Sequence, residues 1–153
     1  MPSHEASIFI RRPLADVFAY MDNISHEREW QPKLVEAEQE PPGPTRVGSR
    51  RRYVSHFMGK RLVNTYVVKV YEINRRIICE STPDSVLRAT TDIRWEEAEG
   101  GTTVTMALEG SASGALKFVP RRILEATFES EVTTALARVK QQLEAEHQDA
   151  LQG

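Results

Sequence analysis

The chain has 153 residues, 40 % hydrophobic and 27 % charged, with a formal net charge of −2. That length suits one domain over residues 1–153 with a continuous core, while the composition argues against disorder and the charge against a nucleic-acid partner. No apolar run approaches the roughly 18 residues of a membrane span, and "MPSHEASIFIRR" lacks an apolar signal core, so a cytoplasmic protein without stable membrane insertion is expected.

Residues 6–11, "ASIFIR", are β-branched and aromatic and read as a first strand running into Pro13, which suits the first turn of a helix. Leu14, Val17, Phe18 and Met21 then fall at helical spacing on one apolar stripe. "DNIS" interrupts that helix, and Ser25 is placed to cap a second short piece, "HEREWQP", ended by Pro32.

Strands are expected over 34–40, about 47–57, 61–72, 76–82, 86–97 and 102–112, separated by "PPGPT", "MGK", "INRR", "TPDS" and "EGG". Short connections make successive strands antiparallel neighbours, a six-stranded meander to which the first strand adds at an edge. A free edge on that strand also allows a homodimer. From about Gly114 the period changes to 3.6: Leu116, Val119, Ile123, Leu124, Phe128, Val132, Ala135, Leu136, Val139 and Leu143 form the stripe of a long last helix. Pro120 predicts a late start or a kink, and the terminal "HQDALQG" is expected to fray, leaving an ordered core of about 6–146.

This is an α+β layout in which the long helix must lie across the concave face of one antiparallel sheet. The order strand, two short helices, six strands, long helix, with "RPLADVFAYMDN…EW" early and "WEEAEGGTTVTM" late, resembles the START/Bet v 1-like (SRPBCC) superfamily, nearest its polyketide cyclase/dehydrase-like branch. The resemblance covers about Ala6 to Glu146. It implies a helix-grip fold, a seven-stranded sheet curved around the C-terminal helix, with a deep cavity for lipids, sterols or polyketides. Some members of the superfamily catalyse cyclisation in that cavity and many only bind, and fold alone does not separate the two.

Strand alternation assigns the faces. Glu36, Glu38 and Glu40 belong outside, answered by Arg50 and Arg52, which turns Arg51, Tyr53, Ser55 and Phe57 inward. Asn64, Tyr66 and Val68 point in; so do Leu87, Ala89, Thr91, Ile93 and Trp95, and Val104, Met106 and Leu108. Arg51 inside could pair with a ligand carboxylate or stabilise an enolate; a bulge near Gly48 would instead turn it into a solvated run of three arginines. Tyr53, Tyr66 and Asn64 either hydrogen-bond a ligand or pack as ordinary core, and His56 alternates outward.

Binding of a hydrophobic small molecule is the first expectation, lined by Trp30, Tyr53, Phe57, Asn64, Tyr66, Thr91, Leu116 and Phe128. A cyclase using Arg51 and Tyr66 as donors and Tyr53 for proton transfer is the second, with no evident interior base. An interaction or stress-response module that uses no ligand is the third. Trp30 is either an aromatic wall of the pocket or a core plug. No cofactor is implied. Cys79 is the single cysteine, the four histidines are scattered, and no phosphate loop or "GxSxG" occurs, so neither a metal site nor a serine hydrolase is supported.

Overall fold

The computed structural model describes residues 2–57 and 59–152, apart from the side chains of 115 and 146–152. Strand β1 (Ser3–Ile10) leads to α1 (Leu14–Asp22), a 3-10 turn (Ile24–His26) and α2 (Glu27–Trp30). Six strands follow: β2 (Leu34–Glu40), β3 (Arg50–Phe57), β4 (Lys60–Glu72), β5 (Arg76–Ser81), β6 (Leu87–Ala98) and β7 (Gly101–Ala112). A second 3-10 turn (Gly114–Leu116) then precedes α3 (Arg121–Gln152).

The sheet order is β1-β7-β6-β5-β4-β3-β2, antiparallel throughout, which is the expected meander with the first strand closing one edge. The architecture is the helix-grip α+β fold. Helix α3 lies on β1 and β7 and meets α2, burying Leu124, Phe128, Val132, Ala135, Leu136, Val139 and Leu143 against the sheet's inner residues. From α1 come Val17, Phe18 and Met21, with Phe18 edge-on to Trp95 at 4.7 Å between centroids.

Several local expectations shift. The cap at the helix break is Asn23, whose Oδ1 accepts from the Ser25 backbone N–H at 3.0 Å and from its hydroxyl at 2.7 Å, so Ser25 is the partner of the cap. Strand β3 begins at Arg50 because Gly48, at φ 94°, and a turn closed from Ser49 N–H to the Arg46 carbonyl occupy the preceding residues. The Pro120 carbonyl accepts from Ile123 and Leu124, so the helix starts late and Ile123 turns out to solvent. Helix α3 runs to Gln152, and Gly153 lies outside the described residues. Met58 of the "MGK" turn lies outside them too.

The outer sheet face carries ion pairs, the expected one of Arg52 with Glu36 among them. Glu36 is held by Arg52 at 3.7 Å and Arg61 at 3.3 Å, Arg76 grips Asp92 at 3.0 and 2.6 Å, and Arg94 reaches Glu5 at 2.6 Å. His56 is exposed and also borders the cavity, whereas its alternation partner Val54 is fully buried between Glu36 and Val63 on the adjoining strands. Long ion-paired side chains nearby can exclude water from a small valine.

Candidate functional site

Between the inner sheet face and α3 lies a cavity of about 180 Å³. Arg51 and the eight residues expected to contact a ligand, Trp30, Tyr53, Phe57, Asn64, Tyr66, Thr91, Leu116 and Phe128, all line it. What their polar atoms are free to do differs sharply from one residue to the next.

Arg51 points inward and is 4 % exposed, with no bulge to turn it out. Its Nε and Nη2 are already committed. Nε donates to Gln39 Oε1 at 2.9 Å, while Nη2 donates to Thr45 Oγ1 at 3.0 Å and to both the carbonyl and Oδ1 of Asp22, at 3.1 and 2.9 Å. The Tyr71 hydroxyl donates to the other Asp22 oxygen at 2.6 Å. Arg51 thus ties β3 to the end of α1 and to β2 through Nε and Nη2, and leaves Nη1 on the side of Glu27.

Glu27 is the residue that sequence reasoning missed. It opens α2, is 1 % exposed and belongs to the cavity wall. The Gln31 side-chain amide donates to its Oε2, and Arg51 Nη1 stands 3.8 Å from Oε1, too far for a hydrogen bond. Burial raises its pKa from 4.5 to about 7, against the opposing pull of Arg51, Gln31 and Tyr53. The signal lay in "EREWQ": Trp30 and Gln31 stand three and four residues after Glu27, so a helix that buries Trp30 carries Glu27 on the same face.

Tyr53 and Tyr66 lie with ring centroids 5.6 Å apart. Burial raises both phenols, Tyr66 to about 12, and the negative charge of Glu27 adds to the rise at Tyr53, so both stay protonated and can donate. Asn64 is less free: its amide accepts from Leu87 N–H at 3.0 Å and donates to the Leu87 carbonyl at 2.9 Å, bridging to β6 beyond the end of β5. It also donates to the Tyr66 hydroxyl at 3.2 Å. Thr91 bonds the Cys79 thiol, which burial pushes up to about 11, so that sulfur stays neutral and is no nucleophile.

Trp30 is 1 % exposed and lines the cavity, yet its indole N–H finds no partner; the same holds for Trp95. A buried donor without a partner costs about 1–3 kcal/mol. Trp30 is therefore both core plug and cavity wall. At the outer end the lining passes to exposed Lys33 and half-buried Phe57 and Thr127, with Lys33 Nζ 4.0 Å from Glu131.

A family model described as polyketide cyclase / dehydrase and lipid transport matches residues 1–144. No curated protein sequence matches the chain. Among solved structures, TTHA0849 from Thermus thermophilus superposes with a TM-score of 0.76 at 17 % identity, over 95 % of this chain and 99 % of that one. The di-domain ARO/CYC StfQ from the steffimycin biosynthetic pathway gives a TM-score of 0.74 at 12 % identity, over 95 % of this chain and 51 % of StfQ. Ara h 8.0201 gives 0.69 at 12 % identity, over 94 % of this chain and 97 % of that one. At these identities the likeness carries the fold alone.

Proposed function

This chain belongs to the polyketide cyclase/dehydrase and lipid transport family, and from that premise we propose that its cavity binds a hydrophobic or aromatic small molecule bearing at least one acceptor oxygen. The observation that carries this reading is a largely apolar cavity of about 180 Å³ between the sheet and α3 whose wall includes the protonated phenols of Tyr53 and Tyr66. Ligand pockets usually run to about 300 Å³ or more, so the occupant is compact, of one or two rings, and smaller than a sterol unless α3 yields. Phe57, Leu116 and Phe128 supply apolar contact, and the Tyr53 and Tyr66 hydroxyls supply donors. Asn64 and Thr91 act by shaping the wall, because their polar atoms bond β6 and Cys79.

Native mass spectrometry of the purified chain, followed by extraction, identifies what is carried. Quenching of Trp30 fluorescence in a Trp95→Phe background then measures affinity. Trp30→Phe keeps most of the packing but removes part of the ring from the wall, and is expected to weaken binding several-fold. Unchanged affinity in that variant removes the indole from the site.

A second reading, cyclisation of a poly-β-ketone, is favoured by Glu27. Enolisation needs a proton acceptor of near-neutral pKa and donors at the developing oxyanion. Glu27 supplies the first, and the Tyr53 and Tyr66 phenols supply the second. Arg51 favours the charged form of Glu27 against the effect of burial. Glu27→Gln should abolish turnover while leaving ligand affinity within about threefold if this chemistry occurs. Unchanged product profiles in Glu27→Gln and in a Tyr53→Phe, Tyr66→Phe double variant leave binding alone.

A further inference from the structure

The segment "KFVPRRI" at 117–123 joins the second 3-10 turn to α3 and has no role in the core. Phe118 is 84 % exposed and Ile123 44 % exposed. A single exposed apolar side chain is ordinary. Here, however, Lys117 holds its ammonium 5.0 Å from the Phe118 ring centroid, and Arg121 and Arg122 follow shortly after. Arg121 is paired with Glu125 at 2.9 Å. Three cations and no carboxylate within the segment contrast with the chain's overall charge of −2.

The location matters as much as the composition. Leu116 and Leu124, flanking the segment, both line the cavity. A shallow depression formed by Lys33, Arg122, Ile123, Ala126, Thr127 and Ser130 shares Lys33 and Thr127 with the cavity wall. The basic, aromatic segment therefore borders the cavity mouth.

We propose that residues 117–123 dock on an anionic lipid bilayer and seat the cavity mouth at its interface. Phe118 and Ile123 would leave water for the boundary between headgroups and acyl chains, while Lys117, Arg121 and Arg122 stay at the level of the lipid phosphates. A second copy fits the patch less well, because a two-fold contact sets these cations against their own counterparts. An acidic protein matches the charge but offers no apolar phase from which a ligand can pass. Docking at the mouth gives an apolar ligand a path that avoids water. Peripheral contact of one loop needs no spanning helix, and among the described residues none is long and apolar enough to be one.

The test is co-sedimentation of the ligand-stripped full chain with phosphatidylcholine vesicles, with and without phosphatidylserine, at low and high salt. Association is expected only with phosphatidylserine present and should fall as salt rises. Phe118→Ser and Arg122→Glu should each weaken it by about tenfold. Both side chains are exposed, so an unchanged melting temperature certifies the fold of each variant. Failure to associate at low salt, equal association with neutral vesicles, or full association by Phe118→Ser overturns the proposal. Self-association without vesicles that Phe118→Ser abolishes also overturns it and assigns the patch to a second copy. Because the protein carries no ligand in this assay, its outcome is separate from that of the fluorescence titration.

Discussion

The two ends of the cavity are built on opposite principles. At the inner end buried Glu27, Arg51 and Thr45 join half-buried Asp22, Gln31, Gln39, Tyr53 and Tyr71 in one network of hydrogen bonds and ion pairs. At the outer end half-buried Phe57 and Thr127 and exposed Lys33 meet solvent over buried Leu116, with one loose ion pair of 4.0 Å between Lys33 and Glu131. Changes at the inner end should move stability and proton affinity; changes at the outer end should move ligand exchange and leave the fold alone.

The largest effect is expected from Arg51→Met. It leaves Asp22 and Glu27 buried without their cation and should cost about 3–5 kcal/mol, read as a fall in the urea midpoint at neutral pH. If the loss is under about 1 kcal/mol, the inner end is not held by that charge.

Glu27 gives the next effect. Its pKa is raised from 4.5 to about 7 on folding, so the native state binds more protons than the unfolded one between those values. Stability is then highest below about pH 4.5, falls as pH rises toward 7 and levels off above it, a span on the order of 3 kcal/mol for this group alone. Glu27→Gln should remove that slope and be more stable than the parent at pH 8; urea melts across pH 5–8 would show a persisting slope if another group were responsible.

Tyr71→Phe deletes the 2.6 Å bond to Asp22 and should cost about 1–2 kcal/mol, measured by the same melts. At the outer end Phe57→Ala should cost under about 1 kcal/mol, since the side chain is half-buried, but should speed ligand release several-fold in stopped-flow fluorescence. A stability loss at Phe57 as large as that at Tyr71 would erase the distinction between the two ends.

Much of this was legible beforehand because strand alternation and helical period are local. "RRRYVSHF" alternates, so once Glu36, Glu38 and Glu40 are outside, Arg51, Tyr53 and Phe57 have no face left but the inner one. What alternation could not say is which inward groups are free. Arg51 is consumed by Asp22, Gln39 and Thr45, which lie 29, 12 and 6 residues away, and Asn64 by Leu87 at 23.

Element order, the antiparallel meander, the face of nearly every strand residue and the stripe of the last helix follow from residue pattern alone, because each depends on neighbours a few positions apart. That the cavity wall carries a protonatable Glu27, and that Nε and Nη2 of Arg51 are taken by the protein itself, emerges from the folded arrangement. Proton affinity and hydrogen-bond vacancy depend on burial and on partners from distant strands, and these come together only when α1 and α2 close the end of the sheet.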